Sequence, residues 1–104
     1  MSGKRLAADV RREQIVKTAV TIAERVGYMS VSRSMIGKEL GVSGGLIPKH
    51  VGTTEELEHA MIQYALAEES IPVIAQLLAM RHPYIKGGVA PEVMAKVVEY
   101  MTAP

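Results

Sequence analysis

Apolar residues fall at helical spacing in six places along the 104-residue chain, and no stretch alternates at the period of two that marks a half-buried strand. The first stripe is Ile15, Ala19, Ile22, Ala23 and Val26. It predicts a helix from about Val10 to Val26, with Asp9 as N-cap and Gly27 as stop. A second, short helix is expected from Ser30 or Ser32 to Leu40, and a third over about Ser43 to His50. Thr53-Thr54-Glu55-Glu56 reads as a capping box that opens a fourth helix along Leu57, Ala60, Met61 and Tyr64. Pro72 disfavours the helical region at Ile71, so that helix should end near Glu69 or Ser70. A fifth helix carries Val73, Ile74, Leu77 and Leu78, followed by a loop from Arg81 to Gly88 in which Pro83 and Gly87-Gly88 oppose regular structure. The sixth starts after Pro91 and shows Val93, Met94, Val97, Val98 and Met101. The fold class is therefore all-α.

The segment Ile36 to Ile47 holds two short helical patterns with almost no linker. Ile36 and Leu40 lie four apart on one face, and Gly37 beside them lets a second helix cross closely. Gly41 supplies the turn, where φ > 0 is required, and Val42 plugs the corner. Ser43 can cap the next helix, and Leu46, Ile47 and Val51 return apolar surface to the core. This is a helix-turn-helix pattern, and it points to double-stranded DNA. Docked in the usual way, it turns Ser43, Gly44, Gly45, Pro48 and Lys49 toward the major groove.

Charge sharpens that reading. The whole chain has a net charge of only +1, but residues 1–53 carry nine Lys/Arg against four acids, while residues 54–104 carry three against seven. A basic half suits phosphate binding, and an acidic half is repelled by the duplex. Residues 1–9 then read as a flexible basic arm, 10–52 as the DNA-binding region and 53–104 as the helical core and dimerisation region of a single domain. Cysteine is absent, which removes thiolate catalysis and disulfides. No long apolar run is present, and Met1-Ser2-Gly3-Lys4-Arg5 is not followed by the apolar segment of a secretory signal. A cytoplasmic location is expected.

The order of these residues resembles the N-terminal DNA-binding domain of the TetR family of transcriptional regulators. The resemblance covers about Arg11 to Tyr64 and rests on Gly27-Tyr28, on Ser32 with Ile36-Gly37, and on Gly41-Val42-Ser43. It continues through Gly45-Leu46-Ile47-Pro48-Lys49-His50-Val51 and Thr54-Glu55-Glu56-Leu57. It implies a three-helix DNA-binding unit followed by about three further helices, the last used for packing or dimerisation. Three departures matter. Pro48 stands where the family usually has a tyrosine that bonds the DNA backbone, and Thr54 where a lysine commonly meets a phosphate. Only about 40 residues follow the fourth helix, too few for the family's large ligand-binding domain, so no small-molecule effector is expected. Pro48 also opposes a regular helix interior, so the third helix must either start near Ile47 or bend.

Candidate phosphate contacts are Arg33, Ser34 and Lys38 on the second helix, with Lys49 and His50 beyond the proline. Ser32, Thr53 and Thr54 can present a hydroxyl and a backbone amide at helix starts. Direct base reading falls to Ser43, Gly44, Gly45 and above all Lys49, with Lys4-Arg5 entering a minor groove. Lys17 and Arg25 read as members of a solvated face.

Other constellations carry bland readings. Glu55 and His59 share a helix face at metal-ligand spacing, but a third ligand is missing, so no metal or cofactor is expected. His82 reads as solvent-facing. No nucleophile stands with a base, which argues against an enzyme. The expected function is a homodimeric regulator, acting as a repressor at a palindromic operator, with Val93, Met94, Val97, Val98 and Met101 as the dimer contact. The last helix folding back on helices four and five remains open beside that. A different reading keeps the helix-turn-helix as a protein-binding scaffold, an adaptor or an inhibitor.

Overall fold

The computed structural model describes residues 3–85 and 88–103, with side chains from Ala7 onward. The described residues form α1 (Gly3–Val26), α2 (Arg33–Leu40), α3 (Ile47–Val51), α4 (Thr54–Ala67), α5 (Ile71–Ala79) and α6 (Pro91–Thr102). Single 3-10 turns at Tyr28–Ser30, Gly44–Leu46 and Pro83–Ile85 join them, and no strand occurs among the described residues.

α1 is the spine. Ile15, Val16, Ala19, Val20, Ile22 and Ala23 are all buried, and α2, α3, α4 and α5 each pack on it. Val26, expected on the same stripe, is 42% exposed, because α1 ends there and the chain turns away. The helix also begins earlier than the periodicity suggests. Asp9 lies inside it rather than capping it, and the backbone expected as an arm is helical from Gly3 onward. Leu6, Ala7 and Ala8 are good helix formers with no breaker after Gly3, so propensity extends the helix beyond the packed stripe. The side chains of Lys4 and Arg5 lie outside the described part.

Gln76 of α5 holds the far end of α1. Its Oε1 accepts the backbone N–H of Tyr28, and its Nε2 donates to the Ala23 carbonyl at 3.4 Å. A second polar tie runs from the buried Ser70 hydroxyl to the Glu24 carboxylate. Both ties fix α5 against the C-terminal half of α1, where apolar packing alone would permit sliding.

The corner between α2 and the next turn follows the sequence closely. Gly41 sits at φ 72°, and the Gly37 carbonyl accepts the N–H groups of Gly41 and Val42, a left-handed helix end closed by glycine. Gly37 is needed for a different reason. A Cβ there would meet the Val42 carbonyl oxygen at 2.7 Å and the Gly44 backbone at 3.2 Å.

The structure decides between the two starts open to the third helix and corrects three further expectations. Pro48 occupies the second position of α3, and the residues before it form a 3-10 turn, so the third element starts at Ile47 and has only five helical residues. Proline fits there because the first turn of a helix has no partner for its missing N–H. Leu46 consequently rotates out of the core to 41% exposure, while Ile47 is fully buried. α4 ends at Ala67, earlier than expected. Glu69 takes a left-handed φ of 52°, the Ser70 N–H returns to the Ala65 carbonyl at 2.8 Å, and Ile71 opens α5 in helical form with Pro72 in its first turn. The loop after α5 is partly regular, since Pro83–Ile85 forms a 3-10 turn that buries Ile85 to 2% exposure.

The capping box is present as expected: the Thr53 hydroxyl accepts the Glu56 N–H and the Glu56 carboxylate accepts the Thr53 N–H, each at 3.1 Å. α6 folds back on α5 and buries Val97 to 1% and half-buries Val93.

Three outcomes are expected. Gln76→Leu leaves the Tyr28 N–H without its partner and should destabilise the fold by about 1–3 kcal/mol in urea unfolding. Gly37→Ala, which raises helix propensity by about 1 kcal/mol in an open helix, should destabilise instead because the Val42 carbonyl cannot yield. The Thr53 backbone N–H, and then its hydroxyl, hold the Glu56 carboxyl below the usual carboxylate range. The stability this cap contributes is therefore full above the ordinary carboxylate value and is lost as pH falls through the lowered one. Thermal melts across the acid range should show that loss, and Glu56→Gln should flatten it.

Candidate nucleic-acid interface

The start of α2 and the start of α4 are brought together by Arg33. Its Nη2 donates to the Thr54 Oγ1 at 2.8 Å, across 21 residues of sequence, and its Nε is buried without a partner. Ser32 caps α2, its Oγ accepting the Met35 N–H at 3.2 Å. Ser32, Arg33 and Thr54 thus line one cleft of about 460 Å³ between the Tyr28–Ser30 turn, α2 and α4, together with Tyr28, Leu57 and Glu58. Neither the cleft nor the Arg33–Thr54 pairing is visible in sequence, because the two helix starts meet only through the shared packing of α2 and α4 on α1.

Tyr28 forms the inner wall of that cleft. It is 5% exposed and its hydroxyl has no partner. Burial, with the nearby Glu58 and Tyr84, pushes its pKa up to about 12, so the phenol remains a protonated donor through the neutral range. The only sequence signal at this position is the Gly27-Tyr28 pair, which assigns it no task.

The remaining candidates divide. Ser34, Lys38 and Lys49 are exposed and free to approach a polyanion, and His50 is half-buried at the end of α3. Ser43 is exposed, with its Oγ accepting the Gly45 N–H at 3.3 Å; Gly45 is exposed and Gly44 half-buried. Thr53 was expected to offer both hydroxyl and amide to a phosphate, and the capping box already uses both. Thr54 likewise has its hydroxyl engaged by Arg33. The first turn of α4 also carries exposed Glu55 and Glu56. At this edge Arg33 brings positive charge beside the Glu55 and Glu56 carboxylates.

Arg25 pairs with Glu39 at 3.2 Å on the surface, joining α1 to α2, and both side chains are about half exposed. Such a pair contributes little to stability. Glu55 and His59 turn to other partners: Glu55 accepts the Tyr84 hydroxyl at 2.8 Å, and His59 meets Gln63 at 2.9 Å. No group of three possible metal-ligating side chains occurs among the described residues. His82 is corrected from solvent-facing to half-buried. Its Nδ1 accepts the Tyr84 N–H at 3.2 Å and its ring meets Tyr28 edge-on at 5.7 Å, since the 3-10 turn at Pro83 folds the loop against α4.

The expected dimer set is split by the fold. Val97 and Val93 face α5 within the same chain, whereas Met94, Val98 and Met101 are 37%, 53% and 54% exposed. No described helix is long and apolar enough to cross a membrane.

No family model matches the chain, and no solved structure matches it. Curated proteins do. Over 72 residues the chain is 33% identical to an HTH-type transcriptional regulator BetI of Vibrio atlanticus (strain LGP32), covering 69% of this chain and 36% of that protein. It is 32% identical over 72 residues to the protein of the same name from Vibrio parahaemolyticus, with the same coverage of both chains. To that of Vibrio vulnificus it is 42% identical over 43 residues, 41% of this chain and 22% of the relative. The chain therefore spans about a third of the length of the curated relatives it matches. What it is similar to is the N-terminal part of helix-turn-helix-type transcriptional regulators.

Proposed function

We propose that this chain binds double-stranded DNA as a sequence-specific transcriptional regulator, working as a homodimeric repressor at a palindromic operator in the cytoplasm. The observation that carries the reading is the glycine-closed corner between α2 and the Gly44–Leu46 turn, with exposed cations on both sides of it. The similarity to helix-turn-helix regulators over this same region supports it. Ser32, Arg33, Ser34 and Lys38 hold phosphates at the start and along the flank of α2. His50 closes α3, Lys49 reaches the groove beside Ser43, Gly44 and Gly45, and the Lys4-Arg5 pair adds charge beyond it. Thr53 and Thr54 act by shaping the start of α4 and holding Arg33 in place. The chain acts by binding alone, with no catalytic step, metal, cofactor or small-molecule effector.

Dimerisation falls to the exposed stripe Met94, Val98 and Met101 of α6, three apolar side chains that a two-fold pairing would cover. Two half-sites about one helical turn apart then follow.

One observation favours a second reading. Glu55 and Glu56 at the start of α4, with Pro48 in α3, weaken the grip on a duplex and suit a protein-binding adaptor. Salt separates the two. A DNA binder should lose affinity with a log-log slope of about −0.9 per phosphate neutralised, and Arg33→Ala should make that slope shallower by about 0.9 per copy removed. An adaptor should retard no duplex even at low salt. Light scattering tests the dimer: a clean monomer at micromolar concentration removes the palindrome.

A further inference from the structure

Gly45 is a glycine that the fold does not require. Its φ lies outside the left-handed region, and a Cβ built on it would meet nothing nearer than the Ser43 Oγ at 3.6 Å. Its neighbour Gly44 has as much room, with nothing nearer than 4.0 Å. Gly37 and Gly41, a few residues away, are by contrast demanded by a 2.7 Å backbone approach and a positive φ. A glycine without a structural reason leaves backbone bare for something outside the chain to approach.

Leu46 follows directly. It is 41% exposed, whereas Ile47 is fully buried and Val51 is 4% exposed. One exposed leucine is ordinary on a protein surface. Here it stands beside bare glycines on the turn of a helix-turn-helix, three residues before the exposed Lys49. The Ser43 hydroxyl, engaged with the Gly45 N–H, does not compete with it for contact.

Resting on the DNA-binding reading, we propose that Gly45 lets a base-pair edge approach the Gly44–Leu46 turn, and that Leu46 contacts the C5-methyl of a thymine there. Among the four bases, thymine alone presents a methyl in the major groove, and an apolar side chain recognises it by covering it from water. Leu46 is then the main base-discriminating side chain of the turn, and Lys49 supplies charge next to it.

Duplexes selected by the purified protein from a random pool are resynthesised with deoxyuridine replacing each thymine in turn. At one position per half-site the loss of the methyl should weaken binding about four-fold, the effect of uncovering one carbon. Leu46→Ala should weaken the thymine duplex as much and bind thymine and uracil duplexes equally. Gly45→Ala should melt no lower than the unaltered chain, since the turn has room for it, yet bind every duplex more weakly. Equal affinity of the unaltered chain for thymine and uracil duplexes, or a uracil penalty that persists in Leu46→Ala, overturns the leucine contact while leaving DNA binding intact. Unchanged binding by Gly45→Ala overturns the role of the bare backbone. Failure to retard any duplex at low salt overturns the DNA-binding reading and this contact together.

Discussion

α1 has to touch four other helices at once, and the chain manages this without phenylalanine or tryptophan. A single helix can serve so many partners only if its packed surface is wide and low, because bulky side chains would hold the partners apart. Ala19 and Ala23, fully buried between Ile15, Ile22 and the two valines, give that low surface. The placement of α2 and α3 is therefore set by the spine. Shifting α1 would move the helix-turn-helix, the α4 start and α5 together.

On that apolar frame a few polar ties decide position. Gln76 bridges the end of α1 and the Tyr28 N–H, Ser70 reaches Glu24, and Arg33 reaches Thr54. Apolar contact is non-directional, whereas each of these bonds fixes one element against another. The Arg33–Thr54 bond has a second consequence. It carries positive charge to an edge that Glu55 and Glu56 make acidic, so attraction and repulsion of a polyanion meet within one turn of helix.

The helical elements were largely legible because their signals are local. The Ile15 to Ala23 stripe of α1, the αL glycine at Gly41 and the Thr53 to Glu56 box are set by residues close in the chain, and they appear where periodicity and capping rules put them, although α1 starts earlier than Asp9 and leaves Val26 exposed. The departures arise where a local signal was open to more than one tertiary outcome. Pro72 reads locally as the stop of α4, and it sits instead inside the first turn of α5, whereas at Pro48 the structure takes the later of the two starts that the proline leaves open, at Ile47. Leu46 follows from that start, since a regular helix from Ser43 would have turned it inward and the 3-10 turn leaves it exposed.

Sequence alone was enough for the all-helical class, the corner at Gly41 and the separation of a basic half from an acidic one, all of which depend on residue type and short-range order. It could not show that Arg33 and Thr54 meet, that Glu56 consumes the Thr53 groups expected to hold a phosphate, or that α6 spends Val93 and Val97 on α5 and leaves Met94, Val98 and Met101 outside. Those outcomes depend on where helices far apart in the chain come to rest. Their resting places follow from how side-chain volumes fit around α1, a property of the packed whole that no local pattern encodes.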